Sequence, residues 1–283
     1  MVETLKIHVL GSPILQFGER PLTADLISLK GQALLVYLAV TQRPHARTSL
    51  AGLLWGDLPE GSARANLRLT LSKLRKILPE TVLHTTRLDV ALANFWLDAA
   101  EFERRLETGD WRLGQSPVSN LQSPFALYRG DFLTGFDLPN APEFETWAEG
   151  VQERLRQTAV THLYQLVETA VHTQQAAPGI QAARQLLTIE PWHEETHRQL
   201  MHLLAAAGQR SAALTQYETC RRLLADELGV EPASETQSLY QELLDDKVTR
   251  WQGDKASPSH LVTLSPPHPV TLSPRHPVTP SSP

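Results

Sequence analysis

Ser62-Ala-Arg-Ala-Asn-Leu-Arg-Leu-Thr-Leu-Ser-Lys-Leu-Arg-Lys-Ile-Leu78 is the stretch on which the reading of this chain turns. On a wheel of about 100° per residue with Arg64 at zero, Ala63, Leu67, Leu71, Leu74, Ile77 and Leu78 fall between about 220° and 340°. That is one apolar face. Arg64, Arg75, Arg68, Ser72, Ala65, Lys76, Leu69 and Lys73 follow in order from about 0° to 180°. The opposite face therefore carries five cations and no acid. Ordinary surface helices mix signs, because opposite charges one turn apart support them. A helix that accepts Arg64–Arg68 repulsion is suited to a polyanion, whose phosphates or guanine edges would neutralise the face. Leu69 sits inside the cationic arc, where a thymine methyl could meet it.

The segments around this helix give it a context. Gly56-Asp-Leu-Pro-Glu-Gly61 breaks the chain before it, and Pro79 ends it. Upstream, Arg47-Thr48-Ser49 opens a short helix with Thr48 as the expected N-cap and Leu50, Leu53 and Leu54 as its buried side. Trp55 reads as core. A further helix is expected over 28–40, where Leu34, Leu35, Leu38 and Val40 form a stripe. Leu5-Lys-Ile-His-Val-Leu10 alternates with period two, and Ile14-Leu-Gln-Phe17 follows with a turn at Gly18, so a small antiparallel sheet is expected at the start. Downstream, 82–85 and 89–92 form a hairpin with 86–88 at its tip. Strands, three helices and a hairpin in that order make a winged helix-turn-helix, with 62–78 as the groove-reading helix.

Composition agrees with a local polyanion site. The formal net charge is −5. Residues 1–100, however, hold 11 lysines and arginines against 8 acids. Between Lys30 and Leu78 eight basic residues face two acids, Asp57 and Glu60. The expected DNA-contacting set is Arg64, Arg68, Leu69, Ser72 and Arg75 for bases. Lys30, Arg47 and Thr48 are expected at phosphates because they lie at helix starts, which hold anions, and Lys73 and Lys76 of the cationic arc are expected at the backbone too. Arg87, near the hairpin tip, is expected in an adjacent minor groove.

Residues 98–250 read almost wholly as helix. Asp98-Ala-Ala-Glu101 looks like a capping box. Helical runs are expected at about 143–174, 178–189, 193–207, 209–228 and 234–245, with breaks at Pro178-Gly179, Pro191, Gly208 and Gly229–Pro232. Ile189-Glu-Pro191 and Val230-Glu-Pro232 each precede a helix, which suggests stacked helix pairs of the tetratricopeptide type. Residues 251–283 hold 8 of the 20 prolines and a histidine-led repeat at His260, His268 and His276. A disordered tail is expected there. The expected domains are thus 1–97, 98–250 and 251–283, and the fold class is mainly α with an α+β winged helix in front.

Several function classes drop out. Cys220 is the single cysteine, so no internal disulfide and no cysteine-based zinc or iron–sulfur site is available. No apolar run is long enough to span a bilayer, and the N-terminus lacks a signal-peptide core. A cytoplasmic protein is the expectation. No phosphate-cradling loop or nucleophile elbow is present. His193-Glu-Glu-Thr-His197 fits the zinc-protease pattern, with Glu194 as general base and Glu218 as a conceivable third ligand. It starts two residues after Pro191, in a helix's first turn and with no sheet to shield it, so a metalloprotease is a remote alternative. No metal, no cofactor and no enzymatic activity are expected. A plain tetratricopeptide-like scaffold that binds a peptide or small effector is the other alternative.

The chain also resembles a known family. Residues 5–97 resemble the OmpR-type winged helix. The form Leu29-Lys30…Leu34-Leu35…Leu38, Leu53-Leu-Trp55 and Ala63-Arg-Ala-Asn-Leu-Arg68…Leu74-Arg-Lys76…Leu78 is similar to its SARP/AfsR-like branch. Residues 98–245 resemble the bacterial transcriptional activation domain, through Tyr128-Arg-Gly-Asp-Phe-Leu133, Trp147 to Arg154, and Glu190-Pro191 through Glu227-Leu-Gly-Val-Glu-Pro232. The resemblance implies a transcription activator in bacterial cytoplasm, associated with the nucleoid when bound. It implies binding to directly repeated promoter sites, with two protomers side by side. It implies that the 56–61 loop, with Asp57 and Glu60, faces RNA polymerase. No phospho-acceptor receiver precedes the winged helix and no nucleotide-binding domain follows, so a short or truncated regulator switched by something other than phosphorylation is expected.

Overall fold

The structure, a computed structural model, describes residues 3–23, 25–109 and 123–255, with side chains described as far as residue 245. The chain begins with β1 (Leu5–His8), β2 (Ile14–Phe17) and β3 (Arg20–Pro21). Next come α1 (Leu29–Thr41), β4 (His45–Ala46), α2 (Arg47–Trp55) and α3 (Glu60–Leu74), followed by β5 (Leu83–Thr85), β6 (Asp89–Leu92) and β7 (Phe95–Leu97). The helical part holds α4 (Asp98–Thr108), a 3-10 turn at Pro124–Ala126, α5 (Pro142–His172), α6 (Ala176–Ile189), α7 (Glu194–Ala206), α8 (Arg210–Leu228) and α9 (Ser234–Lys255). The fold is mainly α, with a winged helix-turn-helix in front of a tetratricopeptide-like array.

The alternation of Leu5, Ile7 and Val9 does bury one face of β1, and all three are inaccessible to solvent. β1 pairs antiparallel with β2. On its other edge it pairs parallel with β7, placing Leu5 opposite Phe95 and Ile7 opposite Leu97. The first sheet is therefore not purely antiparallel; the last strand of the winged helix closes onto its first. The second sheet has the order β4-β6-β5, and the hairpin of β5 and β6 is the wing. α1 starts at the Ser28 cap, whose Oγ accepts the Gly31 N–H at 3.3 Å. It buries Leu34, Leu35 and Leu38 under the sheet side of the domain.

Local expectations are corrected at several termini. Thr48 is not an N-cap. Ala46, still paired with Asp89, occupies that position, and α2 begins at Arg47, whose N–H donates to Leu88 O at 2.8 Å. α3 begins two residues before Ser62, at Glu60 with Pro59 as cap residue, and its regular turns end at Leu74. Arg75 to Leu78 continue it as a final turn in which Lys76 and Ile77 make tighter i−3 bonds and Arg75 and Leu78 keep i−4 bonds. Asp98 and Glu101 form no capping box, because Asp98 is drawn to a distant partner described below. Pro178 and Gly179 do not break a helix. Pro178 lies in the first turn of α6, where its missing N–H costs nothing.

Gly179 has a packing reason. A Cβ there would lie 2.6 Å from Ala170 Cβ and 2.9 Å from Leu203 Cδ1, so α5, α6 and α7 meet at this point closely enough to need a glycine. α6 packs on α5, α7 on α6 and α8 on α7, the successive pairing of a helical-hairpin array. Each Glu-Pro pair indeed precedes a helix, α7 or α9. The expected tail begins inside α9, which runs through 251–255 to Lys255. Residues 256–283, with the three histidine repeats, lie outside the described residues. Among the described residues no helix is long and apolar enough to cross a membrane.

The winged helix and the first helical elements pack within one compact unit, Met1–Tyr240. Asp98, fully buried, joins them. Its carboxylate accepts the Val9 and Leu10 N–H groups at 2.8 and 3.1 Å and lies 3.4 Å from the Arg129 guanidinium. Burial pushes the Asp98 carboxyl up; the two backbone N–H groups, His8 and Arg129 pull the other way. Leu133 N–H donates to Val9 O and Gly11 N–H to Asp131 O. Gly11 takes φ +104° against Arg129, a conformation and a clearance that suit glycine. Tyr37 of α1 meets Trp147 of α5 edge-on at 4.7 Å.

Candidate nucleic-acid interface

Three elements build the site. α2 contributes its first residues, Arg47 and Thr48. α3 contributes Arg64, Leu67 and Arg68, and the wing contributes Arg87, Leu88 and Asp89. Together with Ala46 they line one open cleft of about 590 Å³. Leu67 is the apolar floor, because it belongs to the buried stripe of α3. Arg64 and Arg68 rise from the next stripe one turn apart, which is why the wheel placed them together. The wing is held beside them by the Arg47 N–H to Leu88 O bond, and its tip is shaped by Thr86. The Thr86 Oγ accepts the Leu88 and Asp89 N–H groups at 3.1 and 2.9 Å.

The cleft is predominantly cationic, with four arginines against one lining carboxylate, Asp89. Four guanidinium groups converge where a single one would be unremarkable. Arg47 is the innermost, with its Nε buried and without a hydrogen-bond partner. Burial, and then neighbouring Arg75 and Arg68, push the Arg47 guanidinium down from its ordinary range. Cations that destabilise one another inside a concave, partly apolar wall focus a positive field on its mouth. Guanidinium donors gathered along one wall suit a phosphodiester backbone and guanine edges. Asp89 lines the same cleft, and Glu60, one turn before Arg64, pairs with it.

The residues expected at DNA divide into groups. Arg47, Thr48, Arg64, Arg68 and Arg87 come together in the cleft. Leu69 and Ser72 are exposed on α3, with Leu69 63% accessible. Lys73 and Lys76 are exposed towards the end of the helix. Arg75 donates to Thr85 Oγ1 of β5, so it braces the wing against the helix. Lys30 stands apart from the cleft. Its ammonium donates to Leu54 O and, at 3.0 Å, to Asn140 O, and it lies 5.6 Å from the Trp55 ring centroid. A cation shared by two carbonyls and a ring is a fastener, and burial pushes its pKa down. Asp57 remains in the turn after α2, whereas Glu60 belongs to α3. Leu88 was not singled out as a contact. It is 76% exposed at the wing tip, and a leucine in an otherwise polar hairpin tip was the signal available for it.

The zinc-protease pattern is absorbed by the fold. His193 caps α7, its Nδ1 accepting the Thr196 N–H at 3.3 Å. His197 Nε2–H donates to Pro191 O at 2.7 Å, and its Nδ1 accepts from Gln216 Nε2 at 2.6 Å. Glu194 accepts the Ala233 N–H at 2.7 Å, and Glu218 pairs with Arg221. Each group that zinc chemistry would need is already engaged by a partner within the helical array. Among the described residues no cluster of three potential ligands occurs.

With this geometry in view, the chain can be set beside known proteins. The model of the bacterial transcriptional activator domain matches residues 97–244, about half of the chain. The chain belongs to the bacterial transcriptional activator domain family. Its relatives in that family are regulatory proteins of the AfsR type. Regulatory protein AfsR of Streptomyces griseus is 30% identical over 90% of this chain and 26% of its own length. The transcriptional regulatory protein MoaR1 of Mycobacterium tuberculosis is 24% identical over 85% of this chain and 79% of its own length. The chain thus spans about a quarter of AfsR. The structure of Mycobacterium tuberculosis EmbR, solved in complex with a low-affinity phosphopeptide, superposes with a TM-score of 0.58. It is 22% identical, with 89% of this chain and 70% of EmbR covered, and shares the winged-helix and helical-array fold.

Proposed function

We propose that this activator-domain family member is a sequence-specific DNA-binding transcription activator of the bacterial cytoplasm, without catalytic activity. α3 lies in the major groove, with Arg64 and Arg68 at base edges and Leu69 and Ser72 beside them. Arg47 and Thr48 hold the phosphate that passes between α3 and the wing, and Lys73 and Lys76 meet the backbone further along. Arg87 and Leu88 enter the adjacent minor groove. The turn at 56–58, with Asp57, meets RNA polymerase, and two protomers sit on directly repeated half-sites. The observation that carries this reading is the convergence of Arg47, Arg64, Arg68 and Arg87, from three separate elements, on one cleft.

The test is a mobility-shift titration of the full chain on the upstream region of its own gene and on a random duplex, at several salt concentrations. The reading expects tighter binding to the cognate duplex and a log–log salt slope of several units, since each neutralised phosphate contributes about 0.9. It expects Arg68→Ala to weaken cognate binding by about 1–3 kcal/mol. Salt-insensitive peptide capture by the helical array, without DNA retardation, would instead establish the scaffold alternative.

A further inference from the structure

Glu60 has a role in the cleft that its sequence position conceals. It lies in the first turn of α3, one turn before Arg64, and its carboxylate is bonded to the Arg64 guanidinium. The Pro59 cap supplies no side-chain bond to this helix start, so Glu60 is the acid that faces its positive end. Among the four arginines of the cleft, Arg64 is the one whose guanidinium carries an ion pair with a carboxylate among the described residues. The pair is exposed, 51% for Arg64 and 73% for Glu60, so it is weak and exchangeable.

We propose that Glu60 is a specificity-setting positioning residue of the DNA interface, acting through Arg64. This rests on the DNA-binding reading above. The physical argument is a competition. A passing phosphate that takes Arg64 from Glu60 leaves a carboxylate facing a phosphate, and the gain is small. A guanine edge offers O6 and N7 to the planar guanidinium in bidentate geometry and adds no negative charge beside Glu60. Glu60 therefore raises the cost of non-specific contact more than that of cognate contact. It also keeps the long Arg64 side chain extended along the helix at the mouth of the cleft. Glu60 thereby belongs to the first turn of α3, directly after the turn that the family resemblance implies to face polymerase.

The experiment uses the full chain and its Glu60→Gln variant, which keeps a helix-forming side chain of the same size. Glu168→Gln, an identical charge change on the exposed surface of α5, controls for net charge. Binding to cognate and random duplexes is measured across salt, in wild-type and Arg64→Ala backgrounds. Glu60→Gln should tighten random-duplex binding by about 2- to 5-fold and steepen its salt slope by about 1, beyond any change in Glu168→Gln. Cognate affinity should change less, so the specificity ratio falls. In the Arg64→Ala background the substitution should shift both duplexes alike and leave the specificity ratio unchanged. In the wild-type background, equal changes on both duplexes would overturn the proposal, as would a change in the specificity ratio that persists without Arg64. So would unchanged DNA binding with a loss of polymerase-dependent transcription. Failure of the wild-type chain to bind either duplex would sink the DNA reading itself.

Discussion

Arg68 and Lys30 show how two cations of the same winged helix come to do different work. Arg68 has no carboxylate or carbonyl partner in the described structure and opens onto the cleft, whereas the Lys30 ammonium is held by Leu54 O and Asn140 O. Arg68→Ala should leave the melting temperature nearly unchanged and lower cognate affinity. Lys30→Ala should do the reverse, costing about 1–2 kcal/mol of stability in urea denaturation with the DNA salt slope intact. Equal losses of DNA binding in both variants would contradict this division. Asp98 is a second residue with a disproportionate role. Its removal leaves the buried Val9 and Leu10 N–H groups and Arg129 without their acceptor. Asp98→Ala should cost about 2–4 kcal/mol, chiefly from leaving two buried backbone N–H groups unpaired, and chemical denaturation would show it.

At the scale of the element, the α5–α6–α7 crossing is the tightest point. Gly179→Ala forces its Cβ against Ala170 and Leu203, and should destabilise the array by about 1–3 kcal/mol despite the better helix propensity of alanine. The α7 N-terminus carries a pH dependence. Burial pushes the His197 pKa below 6.5, and its Nδ1 already accepts a hydrogen bond from Gln216. The native ring stays neutral where the unfolded ring takes up a proton. The His197 contribution is therefore fully present above about pH 6.5 and declines as pH falls through and below that value. Urea midpoints at about pH 7.5 and 5.5 should differ in the wild type, and His197→Gln should reduce the difference.

The same scale shows what could be read from the chain alone. α5 to α8 are legible because their apolar period is long and Pro191 and Gly208 mark two of the connections; the α5–α6 connection, Thr173 to Gln175, carries neither residue, so the expected break falls at Pro178-Gly179 inside α6. β4 and β7 were not, since two or three residues carry no measurable alternation; their pairing with β6 and β1 is decided at long range. Asp98-Ala-Ala-Glu101 has the local form of a capping box, but the N–H groups of Val9 and Leu10, just after β1, offer Asp98 a stronger, non-local bond. Arg64 and Arg68 could be placed from the wheel of α3. Their meeting with Arg47 and Arg87 could not, because it depends on how the wing folds back onto α2. Glu60 reads as loop because Gly56-Asp-Leu-Pro-Glu-Gly61 has the glycine and proline pattern of a break, although α3 already starts inside it.

For the molecule as a whole, the winged helix and the helical array are joined by buried polar bonds and stacked rings rather than by a free linker. Asp98, the Leu133-to-Val9 bond and the Tyr37–Trp147 contact all cross from one part to the other. Residues through Tyr240 form one compact unit. Unfolding should accordingly be a single transition, with far-ultraviolet circular dichroism and tryptophan fluorescence superimposing in urea; two separated transitions would show that the parts fold independently.

The bridge between Leu10, Gly11 and Phe132 has a practical meaning for anyone recombining such regulators. A hybrid made by exchanging residues 1–97 would inherit a strand whose mates were left behind in the donor. Exchange of the groove-facing side chains alone, or of residues 1–141 together, would keep those mates in place. On the proposed DNA-binding reading, a change of target site is therefore better pursued by rewriting the surface of α3 and the wing than by swapping modules at their apparent boundary.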